Sequence, residues 1–203
     1  MNLKRSDFIK IGGITAAGAV IAPVLSSSCS NGATNSGAAA TAVAATACSN
    51  NIDVEQRIKD MGLVLPPAPK PVAKYKPTLV SGNLLYVSGQ GPVQMDGSQT
   101  TGKVGSDLTL EEGKIAARQV GLTMLSVIKE YYGDLNKICR LVKTFGMVNC
   151  TFEFAGQPAV INGFSELMAE VFGEEHGVGV RSAVGTMLPG NIAVEIEAVF
   201  ELK

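Results

Sequence analysis

The chain has 203 residues, with 17 Lys+Arg against 18 Asp+Glu, one His and four Cys, and 46% of it is hydrophobic. A net charge of -1 excludes a strongly basic nucleic-acid binder, and a single His with scattered Cys makes a dedicated zinc site hard to assemble. The length allows one or two domains, but residues 1–51 differ in kind from the rest.

Lys4, Arg5 and Lys10 lead into an uncharged, Gly- and Ala-rich run from Ile11 to Leu25. A charged leader followed by ~7–15 apolar residues is a secretory signal pattern, and the run falls short of the ~20 apolar residues that a spanning helix needs. Ser26, Ser27 and Ser28 ahead of Cys29 resemble a bacterial lipobox, although Leu25 lies one position further from the cysteine than is usual. The stretch from Lys4 to Lys10 also resembles a degenerate twin-arginine export signal. The expectation is a signal peptide over 1–28, a lipidated Cys29, and an exported protein in the bacterial cell envelope, on the periplasmic side. Its only membrane contact would be that lipid anchor. Loss of 1–28 removes three bases against one acid, Asp7, and leaves a mildly acidic chain. Residues 30–51, built from Ser, Asn, Gly, Ala and Thr with Cys48, have no charge and no apolar period. With Cys29 they read as a flexible linker over 29–51.

The folded unit is expected over 52–203, a single domain. Asp53 with Gln56 three residues on predicts a capped short helix ending at Gly62. The run Leu65-Pro66-Pro67-Ala68-Pro69-Lys70-Pro71 must be extended. Short strands over Pro77–Ser81 and Leu84–Ser88 flank Gly82-Asn83, a hairpin signal. Gly89 to Gly105 is rich in turn residues. Thr109 and Glu112 form a capping box that opens a helix running to about Tyr132, with Ile115, Leu122, Leu125 and Ile128 roughly on one face. A strand over about Ile138–Cys150 is long enough to call for a bend at Gly146. A second helix covers about Pro158–Phe172. Two last strands, Ser182–Met187 and Ile192–Glu201, are joined through Leu188-Pro189-Gly190-Asn191, a type II turn by its Pro-Gly centre. The order β-β-(β)-α-β-α-β-β is an α+β layer with helices on one face of a sheet.

Cys139 and Cys150 fall in one strand, ~36 Å apart at ~3.3 Å per residue, so they cannot pair with each other and read as small packing groups. His176 reads as a solvated loop residue between glycines and beside Glu174 and Glu175. No phosphate loop, nucleophile elbow or metal spacing is present, and no metal or other cofactor is implied. In Val194-Glu195-Ile196-Glu197-Ala198-Val199 the apolar residues alternate with two carboxylates, and the preceding strand opens on Arg181. A guanidinium there can meet those carboxylates or grip a carboxylate ligand with two N–H groups.

Four segments together resemble the RidA/YjgF family, in the longer branch called chorismate-mutase-like or endoribonuclease L-PSP: Gly82-Asn83-Leu84-Leu85-Tyr86-Val87-Ser88-Gly89-Gln90, Gln157-Pro158 with Ile161-Asn162, Arg181-Ser182-Ala183-Val184, and Leu188-Pro189 leading to Val194-Glu195-Ile196-Glu197-Ala198. The resemblance implies a chorismate-mutase-like fold and a homotrimer with sites in clefts between subunits. It implies hydrolysis of reactive 2-imino or 2-enamino acids to 2-oxo acids and ammonia. In it Arg181 holds the substrate carboxylate, Glu195 places the attacking water, Tyr75 and Asn162 line the cleft, and Ser88 and Gly89 form its backbone wall. An iminium carbon is already electrophilic, so orientation and charge stabilisation suffice without a cofactor. The chain departs from the pattern in having seven rather than eight residues from Arg181 to Leu188, and Ala183 where a Cys or Ser is common. If the last two strands pair as a plain hairpin, Glu195 opposes Val184, away from Arg181. With a bulged three-residue loop, Glu197 comes opposite Ala183, ~7 Å along the strand from Arg181, and is a rival acid. Two other readings stand beside the enzyme: a trimeric, non-catalytic binder of small carboxylate ligands in the envelope, and an endoribonuclease. An acidic domain with 5% aromatics lacks the basic, stacking surface that RNA needs, so no nucleic-acid partner is expected.

Overall fold

The structure, a computed structural model, describes residues 48–203. The signal-like segment 1–28, Cys29 and most of the expected linker lie outside the described residues. Among the described residues no helix is long and apolar enough to cross a membrane.

The elements follow in chain order: α1 (Val54–Asp60), β1 (Thr78–Ser81), β2 (Leu84–Gln90), α2 (Leu110–Tyr131), β3 (Ile138–Asn149), α3 (Gln157–Phe172), α4 (Glu174–Gly177), β4 (Val180–Thr186) and β5 (Val194–Leu202). They build a five-stranded mixed sheet in the order β1-β2-β5-β3-β4 with the helices on one face, the expected chorismate-mutase-like α+β fold. The local signals account for the helix starts. Asp53 accepts from the Gln56 N–H at 2.9 Å. Thr109 and Glu112 close their capping box at 2.7 and 3.2 Å, which satisfies two of the orphan donors at that helix end.

Strand faces follow from the register. On β5, Val194, Ile196, Ala198 and Phe200 are buried under α2 and α3, while Glu195, Glu197 and Val199 point to the opposite, helix-free face. The core is completed by Met124, Leu125 and Ile128 of α2 and by Ile161, Phe164, Leu167 and Phe172 of α3. Ile115, expected on the apolar stripe of α2, is 68% exposed. The buried stripe is carried instead by smaller residues at 3–4 spacing (Gly113, Ala116, Ala117, Val120) that let α3 come close. At Gly163 the approach is tightest, since a Cβ there would lie 2.0 Å from the backbone oxygen of Lys114.

The expected bend at Gly146 is not where β3 is irregular. Its register against β5 shifts near the start, between Ile138 and Arg140 and between Leu141 and Lys143. Gly146 lacks a side chain for another reason: a Cβ would sit 2.6 Å from Ile161 Cδ1, so the residue admits α3 onto the sheet. The optional third strand after β2 does not form. Residues 91–108 make isolated bridges, among them Val93 with Gln99 and Thr101 with Ile192.

The hairpin expected between the last two strands is absent, although its turn is present. Asn191 N–H donates to Leu188 O at 3.3 Å and Gly190 has φ 61°, the positive value that the Pro-Gly centre calls for. The turn carries the chain across the end of β3 instead of back onto β4. β4 pairs in parallel with β3, and β3 pairs antiparallel with β5. Asn149, buried at the end of β3, holds that crossing: its side chain donates to Asn191 Oδ1 at 2.9 Å and its N–H to Ala193 O.

Cys139 is not a mere packing group. It forms a disulfide with Cys48, with Cα atoms 5.9 Å apart. Beside it, Asn50 is buried and donates to Cys139 O and Phe172 O. Residues 48–51, read from sequence as linker, are therefore held on the domain. Replacing Gly163 with Ala should force α2 and α3 apart and cost about 1–3 kcal/mol, read as a lower urea midpoint with an unchanged slope.

Candidate functional site

The segment 66–77 precedes β1 and has no regular structure, yet it is fixed. Ser126 and Tyr131 of α2 donate to Pro66 O and Pro69 O. At its far end the Ser88 hydroxyl donates to Lys76 O at 2.7 Å and the Ser88 N–H to Pro77 O. Tyr75 is thereby held over the end of β2. There the β2–β5 register shifts: Val87 pairs with Ala198 but Gln90 with Ile196, which leaves Ser88 and Gly89 in a bulge.

Tyr75, Gly89 and Glu195 line one cleft of about 450 Å³, together with Gln90, Gln99, Thr101, Pro189 and Ile192. Gly89 has to be glycine here, because a Cβ would meet Glu195 Oε1 at 2.1 Å. The Glu195 carboxyl is half-buried, and its pKa is raised above the ordinary 4.5, by burial first and by the neighbouring Glu197 second. A carboxyl shifted towards neutral pH in a cleft is a general acid–base candidate.

Glu197 faces a different and smaller hollow of about 200 Å³, lined by Tyr86, Ser88, Lys143 and Phe145. The two rival acids are thus separated: Glu195 goes with Tyr75 and Gly89, Glu197 with Lys143. Ser88 belongs to the second hollow and supports the Tyr75 segment from below.

Arg181 and Asn162 lie elsewhere. The register puts Arg181 in a row with Thr144 and Ala198, hence on the helix face, whereas Glu195 shares a row with Met147 and Val184 and Glu197 with Phe145 and Ser182 on the other face. Neither acid can reach Arg181 within one chain, and the bulged-hairpin geometry that favoured Glu197 does not occur, because β3 stands between the strands. Arg181 is exposed on the edge strand. It donates to Ser165 Oγ at 3.1 Å and Pro158 O at 3.3 Å. Asn162 falls between those two partners on the same stripe of α3. The site residues therefore form two groups, Tyr75–Gly89–Glu195 and Arg181–Asn162. Gln99 and Thr101 were not found from sequence, since they reach the cleft through the Thr101–Ile192 bridge, a long-range pairing with no local signal.

A five-stranded mixed sheet in the order β1-β2-β5-β3-β4 with its helices on one face is a chorismate-mutase-like α+β fold. The chain belongs to the family described as "YjgF/chorismate_mutase-like, putative endoribonuclease", which matches residues 55–193. Glu195 and Glu197 lie just past the matched stretch. The chain is 41% identical over 150 residues to Protein TCP17 from Trypanosoma cruzi, covering 73% of this chain and 94% of that one. Among solved structures it is similar to a protein of unknown function from Agrobacterium tumefaciens (42% identity, TM-score 0.66, 74% of this chain and 94% of the other). It is also similar to "a putative endoribonuclease" from Shewanella oneidensis (29% identity, TM-score 0.70, 73% and 99%).

Because burial and Glu197 both disfavour the ionised Glu195, the native chain holds that proton more tightly than the unfolded chain. Its stability is fullest below the ordinary glutamate pKa and falls as pH rises through and above it. Glu195→Gln should therefore raise the melting temperature at pH 8 and leave it unchanged at pH 4, as scanning calorimetry at both values would register.

Proposed function

We propose that this protein hydrolyses small 2-imino or 2-enamino acids to 2-oxo acids and ammonia, in a cleft completed by a second copy of the chain within a homotrimer. The observation that carries the reading is the half-buried, proton-retaining Glu195 in a cleft with Tyr75 and the Gly89 backbone. The separation of Arg181 from that cleft supports a shared site: a group that cannot reach its partner within the subunit can do so across an interface. The helix-free sheet face supports the same assembly, since Leu79, Tyr86, Val180 and Val184 are exposed on it around half-buried Phe145 and Met147.

In this scheme Arg181 has two N–H groups turned to α3, which fixes its orientation, and others free to fork a substrate carboxylate. Glu195 takes a proton from water as the oxygen bonds to C2 of the imine and the C=N electron pair moves to nitrogen. The same carboxyl returns that proton to nitrogen, giving a carbinolamine. It then takes the remaining O–H proton as the C2 oxygen becomes the oxo group, and passes it to nitrogen as the C–N bond breaks and ammonia leaves. The raised pKa of Glu195 suits this cycle, because the group must first accept and then return a proton.

With 2-iminopropionate generated in situ, Arg181→Ala should abolish turnover and Arg181→Lys should restore little, since an ammonium lacks the planar fork. Glu195→Gln should cost about 10²–10⁴-fold, and Glu197→Gln, which faces the other hollow, should change the rate little. Turnover that survives Arg181→Ala would refute the assignment, and binding of a 2-oxo acid by the wild type without imine turnover would favour the non-catalytic binder. Sedimentation equilibrium at micromolar concentration should give three copies per particle; a monomer would remove both the trimer and the shared cleft.

A further inference from the structure

The described residues contain a second cluster of reactive groups, far in function from the cleft. Cys48 lies ahead of α1, Cys139 is fully buried at the start of β3, and His176 sits in the single turn of α4. Their donor atoms, two sulfurs and an imidazole nitrogen, all lie within 4.8 Å of one another. His176 Nδ1 is buried and has no hydrogen-bond partner among the described residues. A buried polar atom left unpaired costs about 1–3 kcal/mol and calls for an explanation of its own.

We propose that in the dithiol state Cys48, Cys139 and His176 bind one zinc ion, and that oxidation to the Cys48–Cys139 disulfide closes the site. Two thiolate sulfurs and one imidazole nitrogen are a soft-to-borderline donor set, suited to Zn²⁺ and unsuited to Mg²⁺ or Ca²⁺. Two thiolates and a neutral imidazole offset the dication, so the buried site stays uncharged as a whole, and a fourth position is left for water. The imidazole then gains a metal bond in place of its unpaired nitrogen. The surroundings hold the ligands in place. Asn50 ties the Cys48 segment to the Cys139 and Phe172 carbonyls, and the Arg140 Nε–H donates to Cys48 Sγ at 3.1 Å, a contact that favours a thiolate and orients it.

Opening the site takes two electrons and two protons. A dithiol in the surroundings supplies them, its two sulfurs becoming a disulfide while the Cys48–Cys139 bond becomes two thiols. Zinc then displaces the two thiol protons. In the test tube a phosphine does the same work: the disulfide is cleaved, one water is consumed, and the phosphine oxide and two thiols result, with no competing thiol left in solution. Zinc and the disulfide are thus two interchangeable ways of joining the residue 48 segment to β3.

The test uses the full chain, reduced by phosphine without oxygen and titrated with Co²⁺ and then Zn²⁺. Expected are one equivalent of Co²⁺ with a thiolate-to-cobalt charge-transfer band and tetrahedral ligand-field bands, both erased by Zn²⁺, and neither in the disulfide form. Cysteine variants also break the staple, so His176→Ala is the deciding variant, with its fold checked by circular dichroism. It should weaken Zn²⁺ binding by more than about tenfold, since even outer-shell partners cost that much, and leave the disulfide able to form. A reduced, folded chain with no charge-transfer band, binding unaffected by His176→Ala, or a disulfide that is reduced only when the chain unfolds would each overturn the proposal.

Discussion

Insertion of β3 between β4 and β5 is the constraint on which the rest of the structure turns. Neighbouring strands lie about 4.8 Å apart, so the chain leaving β4 must step across two such spacings before it re-enters the sheet as β5. Asn149 holds that step through Asn191 and Ala193. Had the two strands been neighbours, an arginine and a glutamate could have met as an ordinary cross-strand pair. With β3 between them in this register, Arg181 is turned onto α3 and Glu195 onto the opposite face. Each keeps chemistry that an intrachain ion pair would have quenched.

The same arrangement divides the costs. The helix face of the sheet buries Val194, Ile196, Ala198 and Phe200 and carries the hydrophobic driving force. The other face carries a carboxyl kept partly from water, an exposed acid two residues on, and apolar side chains left uncovered among the described residues. That face is poor for stability and good for chemistry. The Gly89 bulge shows the trade on a small scale: a strand residue gives up its side chain so that Glu195 can lie against its backbone.

What the sequence disclosed was what is local. The Asp53 and Thr109 caps, the Gly82-Asn83 hairpin, the Pro189-Gly190 turn and the alternation of β5 are each decided within a few residues, and each is present. The resemblance placed Tyr75, Gly89 and Glu195 together, and the cleft brings them together. What stayed hidden was long-range. A turn signal reports that the chain reverses, and says nothing about which strand receives it, so the last hairpin was misread. Cys48 and Cys139 are 91 residues apart, and a cysteine in a stretch of Ala and Ser gives no sign of its partner. His176 looked like a loop residue for the same reason. Ile115 misled because apolar identity is a weaker guide on α2 than the small residues that admit α3.

The disulfide also decides how the domain meets mechanical load. A pull arriving along the chain from the N-terminal side reaches Cys48 first, and the covalent bond passes it to Cys139 in the long strand β3, bypassing Asn50, α1 and the residues between. α1 is then a bystander that carries no tension. Force enters instead at the start of β3, a strand held by β5 on one side and β4 on the other, so the sheet rather than one short helix bears it. With the bond cut, the same pull would fall on Asn50 and the first turn of α1, whose few hydrogen bonds would give way singly. The oxidation state of one sulfur pair therefore sets whether the domain, under tension, yields from its edge or holds to the strength of its sheet.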